Sequence, residues 1–317
     1  RIQKAAQIRK EIRLETFVSG KGTFELYHEP NKLFITEYKR KAPEHPEAFA
    51  MAMRKHLSGQ RIIAIRQAGF DRIAEIETES NILIFELFSK GNAILCQKDY
   101  MVIIPLEVQV WRDRRILPKA KYAYPPAVAN PFSYDIASLK RLLHGSDKEV
   151  VRFLAADLSL SGVYAEEVCA RAQLDKNKKG SLLSQDEVLA LYESLHGLLK
   201  DFGPRIIFEG SEPVDFAPFQ MHSYKEKKAE EFKSFNTVLD EYFTHKESVG
   251  KELEEKKKVM EEQGRFERME AEQRESIKKW RTKERESRKQ AEAIYANFEQ
   301  VQKAIDFVND SKKQGMD

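Results

Sequence analysis

The sequence has little cysteine and no long apolar run, and these shortages exclude several classes of protein. Among its 317 residues are only two cysteines, Cys96 and Cys169, without CxxC spacing, so neither a disulfide framework nor a zinc site is indicated. Spanning a membrane would take a run of about 18 apolar residues, which the sequence lacks, and no basic, apolar leader opens the chain. We therefore expect a soluble cytoplasmic protein that does not enter a membrane.

Motifs of catalysis are also missing. The sequence contains no Walker loop, GxGxxG, HExxH or nucleophile motif, and its seven histidines are scattered, so we predict no catalytic residue, no cofactor and no enzymatic activity. The stretch DKNKKGSLLSQD has the outline of a calcium loop. However, it places Lys179 where calcium requires an oxygen donor and Asp186 where a bidentate glutamate is needed, so we predict a solvated loop and no metal site.

The pattern of residues predicts an α+β protein in four parts. Alternating apolar and polar residues with Gly and Pro-Asn turns predict a β-rich domain over residues 1–130. One helix interrupts it, with Pro46 in its first turn. A helical domain follows over 131–203, then a returning β segment and a helix over 204–245. Residues 246–317 are rich in charge and predict the start of a coiled coil.

Four helices are expected in the helical domain, the last capped by Ser184 with Glu187 and ending at Gly203. The stretch LSLSGVYAEEVCARA has the form of a helix-hairpin-helix, with its turn at Ser161 and Gly162. Such a turn can direct backbone N–H groups at a phosphate. A helical hairpin that serves only packing is the alternative.

In the charged C-terminal part, the apolar residues form a narrow stripe. The stripe consists of Ile294, Phe298, Val301, Ile305 and Val308, at the alternating four- and three-residue steps that keep one seam toward a partner helix. A coiled-coil protein partner is therefore a candidate.

Basic residues are interleaved with aromatic ones in three stretches, residues 37–45, 53–61 and 110–124. The net charge is only +3, from 54 Lys and Arg against 51 Asp and Glu, so local clusters must decide about nucleic acid. Each cluster alone fits a solvated surface, whereas three in one domain suggest RNA binding. The candidate contacts are Arg54, Lys55, His56, Arg112, Arg114 and Arg115.

The stretch QAGFDRIAEIE places Asp71 beside Arg72 in what reads as an extended chain. Neighbouring side chains of a strand point to opposite faces, so these two charges are not expected to pair with each other. Two interpretations remain open. Either Arg72 is a surface cation and Asp71 caps a turn after Gly69, or Asp71 accepts hydrogen bonds from a base or ribose while Arg72 contacts phosphate.

The blocks FAMAMRKHL, GFDRI and ELFSKGN, together with EPVDFAPFQ and FNTVLDEYF, resemble the NFACT family of ribosome quality control factors. The resemblance implies a MutM/Fpg-like NFACT-N domain, a helix-hairpin-helix domain and the start of a coiled coil. It implies a factor that binds the split large ribosomal subunit, with its rRNA and its peptidyl-tRNA and nascent chain. Such a factor recruits tRNA, with alanyl-tRNA expected, for untemplated C-terminal tailing that marks stalled chains for degradation.

The resemblance also assigns residues. The family's Asp-Arg pair, needed for tRNA recruitment, falls on Asp71 and Arg72, and its Glu-centred motif makes Glu86 and Asn92 candidate ribosome or tRNA contacts. Two alternative functions are suggested by the family's former name and by its fold. Prokaryotic members were long labelled fibronectin-binding protein A, which suggests a surface adhesin, and the fold suggests a MutM/Fpg-like DNA-repair protein, although the N-terminal proline nucleophile of those enzymes is missing.

Overall fold

The computed structural model describes residues 1–40 and 45–313. Its α+β architecture confirms the predicted fold class. The first sheet is antiparallel, with the strands in chain order: β1 (Ile2–Ile8), β2 (Glu11–Val18), β3 (Gly22–Glu29) and β4 (Lys32–Thr36). Helix α1 (Ala48–Leu57) follows, with Glu47 at its N-cap. We had predicted Pro46 in the first turn of this helix, but Pro46 precedes the helix.

The second sheet is an antiparallel meander whose strands also lie in chain order: β5 (Ile62–Gln67), β6 (Ile73–Thr78), β7 (Asn81–Glu86), β8 (Asn92–Gln97) and β9 (Val102–Pro105). A short hairpin of β10 (Gln109–Val110) and β11 (Arg115–Ile116) follows. Every residue of β7 is buried, because one face packs with α1 and the first sheet while the other covers a second core. Burial on both faces explains why the sequence of β7 is almost continuously apolar.

The helical part has its own core. Its helices are α2 (Ile136–His144), α3 (Val150–Arg152), α4 (Gly162–Arg171) and α5 (Gln185–Gly197), and a π-helical turn over residues 153–157 continues α3. The capping box of Ser184 and Glu187 is confirmed. Helix α5 ends at Gly197 and not at Gly203, because the chain enters a turn at Leu198 and Leu199.

The returning β segment forms a third sheet of β12 (Arg205–Glu209), β13 (Glu212–Ala217) and β14 (Lys228–Glu231), with β12 in the middle. Helix α6 (Phe235–Ala296) then runs unbroken through Gly264, and α7 (Phe298–Lys313) follows. The predicted division at residue 246 therefore falls inside a helix. The chain nevertheless forms two compact units, Arg1–Lys246 and one that begins at Glu247.

In the second unit, Ile294, Phe298, Ile305 and Val308 are exposed, and the break between α6 and α7 at Asn297 interrupts the predicted seam. The coiled coil therefore stays a prediction. A search of the described helices finds none with the length and apolar character needed to cross a membrane. Both cysteines are buried and free, and burial raises the pKa of the Cys96 thiol to about 12.

Candidate nucleic-acid interface

The meander brings three loops to one end of the second sheet. Because neighbouring strands are antiparallel, five strand termini lie at the same end of the sheet: the end of β5, the start of β6, the end of β7, the start of β8 and the end of β9. We name this end of the sheet the loop end. It carries residues 68–72, 87–91 and 106–116. Asp71 and Arg72 therefore lie at the same end of the sheet as Glu86 and Asn92.

Asp71 and Arg72 lie in the tight loop between β5 and β6, and the prediction of an extended chain at these residues was wrong. Gly69 adopts φ +58°, in the left-handed region that favours glycine. The loop is closed by the Asp71 N–H, which donates to the Ala68 carbonyl at 3.1 Å. The Leu87 N–H also donates to the Arg72 carbonyl at 2.7 Å, so the backbone beneath both charges is held in place.

The two side chains are available for a ligand. Asp71 is half-buried and Arg72 is exposed. Neither the Asp71 carboxylate nor the Arg72 guanidinium has a hydrogen bond or ion pair with any described residue; the bond from Gln67 Nε2 reaches the backbone carbonyl of Asp71 at 2.9 Å. The structure therefore gives no support to the alternative in which the Asp71 carboxylate caps the turn.

A cavity of about 890 Å³ opens beside this loop and is shared with the helical part of the same compact unit. Phe70 packs edge-on against Phe132, with ring centroids 5.9 Å apart. Most of the wall is apolar and includes Phe88, Pro125, Pro126, Leu160, Tyr164 and Phe219. Asp71 and Arg72 supply charged groups to a largely apolar space, which is a typical composition for a ligand cavity.

The turn before α4 lines the same cavity through Ser161. Ser161 carries the left-handed backbone, with φ +66°, and its side chain forms no cap hydrogen bond. Gly162, which we predicted as the glycine of the turn, is instead the first helical residue. The first helical bond is donated by Ala165 N–H to the Ser161 carbonyl at 3.0 Å, so the preceding N–H groups of α4 have no partner within the helix.

Glu86 and Asn92 are opposite each other in β7 and β8, and their side chains are interior, 2% and 1% exposed. Glu86 accepts hydrogen bonds from Arg114 and from the Tyr122 hydroxyl, the latter at 2.8 Å. Burial, together with the Glu86 carboxylate, raises the pKa of Tyr122. Glu86 and Asn92 therefore offer almost no surface for the predicted direct contact with RNA.

The basic candidates fall into two groups. Arg54, Lys55 and His56 end helix α1, and Gln60 just beyond them bonds Asn81 at the start of β7, with Nε2 to Oδ1 at 3.2 Å. That is the sheet end opposite the loop end. Arg112, Arg114 and Arg115 belong to the loop end, and the first and last of them are exposed. Of the basic stretch 37–45, residues 41–44 lie outside the described residues.

The aromatic contacts of the cavity were not predicted from the sequence. No role was assigned to Phe70, Phe132 or Tyr164, since an isolated aromatic residue is ordinary in a core. The one available signal was Phe70 itself, an apolar side chain between Gly69 and Asp71 in a turn. Across residues 1–40 and 45–313, no cluster of three His, Cys, Asp or Glu side chains could hold a metal ion.

Comparison with known proteins yields a family match over nearly the whole chain. The family described as NFACT N-terminal and middle domains matches residues 1–311. The chain is 30% identical over 322 aligned residues to the archaeal Rqc2 homolog aRqcH of Methanocaldococcus jannaschii, covering 96% of this chain and 48% of that protein. It is 24% identical over 246 residues to ribosome quality control complex subunit NEMF of Homo sapiens, covering 67% and 23%. The chain thus spans less than half the length of these relatives.

A solved structure matches the fold. The N-terminal part of the fibronectin/fibrinogen-binding protein from Streptococcus suis superposes with a TM-score of 0.60 at 23% identity, covering 77% of this chain and 92% of that one. At this identity the similarity concerns the fold alone.

Proposed function

The chain belongs to the NFACT family, and on that premise we propose that it is a ribosome quality control factor that recruits tRNA. It binds the split large ribosomal subunit carrying peptidyl-tRNA and brings in tRNA, with alanyl-tRNA expected, for untemplated C-terminal tailing of the stalled chain. Tailing marks that chain for degradation. The subunit forms the peptide bond, so the factor binds and positions RNA in the cytoplasm and is not itself an enzyme.

The observation that carries this proposal is a pair of charged side chains on a fixed loop beside the cavity, neither of which bonds to another described residue. Arg72 offers a planar donor set suited to phosphate, and Asp71 offers an acceptor for a base or ribose hydroxyl. The N–H groups at the start of α4 attract phosphate on the other side of the cavity. Its apolar walls suit the face of an unpaired base, as in single-stranded loops of RNA.

The names of the relatives support the biological setting. One is called an archaeal Rqc2 homolog and the other a ribosome quality control complex subunit. Because the chain spans less than half of each, the tailing reaction and its ribosomal partners are proposals for the whole protein. tRNA binding is the part of the proposal that the chain itself can be asked to perform.

The test is filter binding of labelled tRNA to the chain and to an Asp71→Ala/Arg72→Ala variant. Hydrogen bonds to charged groups contribute about 1.5–3 kcal/mol each, and about 1.4 kcal/mol corresponds to a tenfold change in Kd. Because the variant loses both groups, at least about 3 kcal/mol in all, we expect affinity to fall by about a hundredfold or more. Affinity should also weaken steeply between about 50 and 200 mM salt, since several phosphates are neutralised.

The matched control is Lys225→Ala/Glu226→Ala, which removes one base and one acid from exposed neighbouring residues that do not line the cavity and lie outside the three basic stretches. This variant should bind tRNA like the unaltered chain. Equal tRNA affinity of the Asp71→Ala/Arg72→Ala variant and the unaltered chain, or affinity that does not respond to salt, contradicts the proposed mechanism.

The two alternatives are examined with the same protein. A fibronectin-binding adhesin should capture immobilised fibronectin and ignore tRNA, and a MutM/Fpg-like DNA-repair protein should release a base from lesion-bearing duplex. We expect neither activity, and either one without tRNA binding would replace the proposal.

A further inference from the structure

The hairpin that follows the second sheet exposes a tryptophan. Trp111 follows β10 and is 47% exposed. The backbone N–H of Trp111 donates to the Arg114 carbonyl at 2.8 Å, which closes the turn. Arg112 follows Trp111 directly, Arg115 begins β11, and both are exposed. An exposed indole close to arginines in the chain is unusual for a surface that binds nothing, because large aromatic side chains are normally buried.

Glu86 and Asn92 hold this hairpin from inside. The Asn92 amide donates to the Glu107 carbonyl at 2.9 Å, and its oxygen accepts from the Glu107 N–H at 3.0 Å. A further bond runs from Asn92 Nδ2 to Gln109 Oε1 at 3.1 Å. Glu86 binds the Arg114 guanidinium. The two buried residues therefore fix both strands of the hairpin to the sheet.

Arg114 in turn orients the indole. Its guanidinium carbon lies 5.5 Å from the Trp111 ring centroid, within the range of a cation–π contact. Arg114 Nε also donates to the Ala123 carbonyl at 2.6 Å, so the guanidinium is held by a carboxylate and a carbonyl at once. No other ring of a described residue contacts Trp111. One side of the indole is thus supported by Arg114, while the ring remains half-exposed. Because the ring is already held in place, binding a ligand costs little further side-chain entropy.

The hairpin tip, residues 111–115, carries three arginines and one acid, Asp113, so its net charge is positive and suits RNA. Arg114 is neutralised by Glu86, whereas Arg112 and Arg115 form no ion pair within the part of the chain that the structure describes. Each base has a π-face that can stack on an aromatic ring, and each flanking phosphate needs a cation. The tip also belongs to the loop end, where Arg72 lies.

We propose that Trp111 stacks on an unpaired RNA base while Arg112 and Arg115 neutralise the adjoining phosphates. We name Trp111, Arg112 and Arg115 together the platform. Glu86 and Asn92 are positioning residues that hold the platform and do not touch RNA themselves. The inference rests on the proposed function in one respect, that RNA is the ligand. It adds a second contact at the loop end, apart from Asp71 and Arg72.

The chain has only two tryptophans, which allows a direct test. In a Trp280→Phe variant, Trp111 is the single tryptophan, and its fluorescence is followed while tRNA or a single-stranded oligouridine is added. Stacking should quench the emission strongly. The control is Trp111→Phe, which leaves Trp280. That residue is 70% exposed and has Lys283 at 5.7 Å from its ring, but it has no comparable framework, so we expect little change.

Binding is measured in parallel by the anisotropy of labelled tRNA. If tRNA binds and responds to Asp71→Ala/Arg72→Ala while Trp111 emission stays constant, the platform is wrong and the proposed function stands. If Trp111 is quenched but the Asp71→Ala/Arg72→Ala variant binds equally well, the proposed tRNA contact of Asp71 and Arg72 is wrong and the platform stands. Constant emission with both probes overturns the platform in every case.

The arginines and the positioning residues give different signatures. Each phosphate contact on a single strand contributes about 0.7 to the slope of log K against log salt, so Arg112→Ser/Arg115→Ser should reduce that slope by about 1.4. Asn92→Ala removes bonds to the hairpin but no charge, so it should weaken tRNA binding and increase acrylamide quenching of Trp111 without changing the slope. Arg114→Lys, which keeps the charge but loses the planar group, should do the same. A changed slope, or unchanged acrylamide quenching, in both the Asn92→Ala and the Arg114→Lys variants contradicts the assigned roles.

Discussion

The buried His28 should make the fold sensitive to acid. Its side chain is 1% exposed, and both ring nitrogens lack a hydrogen-bond partner among the described residues. The ring packs against Phe85 with centroids 4.6 Å apart. Burial lowers the pKa of His28 from 6.5 to about 4, and the Glu29 carboxylate and the Lys10 carbonyl oppose this more weakly.

The effect on stability follows from linkage. As pH falls from about 6.5 to about 4, the unfolded chain binds a proton at His28 that the folded chain does not, so acid favours unfolding. The two pKa values differ by about 2.5, and each pKa unit corresponds to about 1.36 kcal/mol. The free energy of unfolding should therefore drop by about 3 kcal/mol across this window through His28 alone. Above about pH 6.5 the ring is neutral in both states and the penalty disappears.

The assay is urea unfolding of the chain and of His28→Leu at intervals from about pH 7.5 to about pH 4.5. Leucine removes two unpartnered nitrogens, so the variant should be at least as stable at pH 7.5 and should gain relative stability as pH falls. His45→Leu, at an exposed position, should leave the pH dependence unchanged. Parallel curves for His28→Leu and the unaltered chain across this range would refute the reasoning.

Two other substitutions test contacts that define elements. Ser184→Ala removes the acceptor for the Glu187 N–H at 3.2 Å and should lower the free energy of unfolding by about 1 kcal/mol, measured by urea unfolding, whereas Ser184→Asp should retain most of it. Asn236→Ala removes two bonds between the start of α6 and β4, from Ile35 N–H at 2.7 Å and to the Ile35 carbonyl at 2.8 Å. We expect a loss of about 1–3 kcal/mol and faster amide exchange at Ile35, and unchanged exchange would contradict a role in covering this edge.

Much of the fold could be predicted because local patterns and tertiary structure agree. Strand alternation placed the meanders, and the capping box placed the start of α5 at Gln185. The predictions that failed concern where elements begin and end, such as Gly203 as the end of α5. Nothing local stops a helix of good helix formers, so α6 runs on past residue 246, although the two compact units divide there. Conversely, Glu230 and Glu231 look helical in sequence but join β14, because β12 offers an edge to pair with.

Residues of the candidate site could be proposed from the sequence, whereas their geometry could not be predicted. Asp71 and Arg72 could be selected through the family resemblance, whereas their conformation depends on Gly69 and on the bond between the Leu87 N–H and the Arg72 carbonyl. That bond joins residues far apart in sequence. An extended interpretation of this stretch was reasonable locally and fails because the neighbouring strand requires a hairpin here.

The same sheet end shows why polar residues in one motif can have different roles. Glu86 and Asn92 end and begin strands that are buried on both faces, and a buried polar group must be hydrogen-bonded there. Their atoms are therefore committed to Arg114, Tyr122 and the hairpin beyond β9. Asp71 and Arg72 lie in a loop that backbone hydrogen bonds hold in shape, so their side chains make no bond to another described residue. They are therefore the residues that we propose for contact with a ligand, whereas we propose that Glu86 and Asn92 act by holding the hairpin.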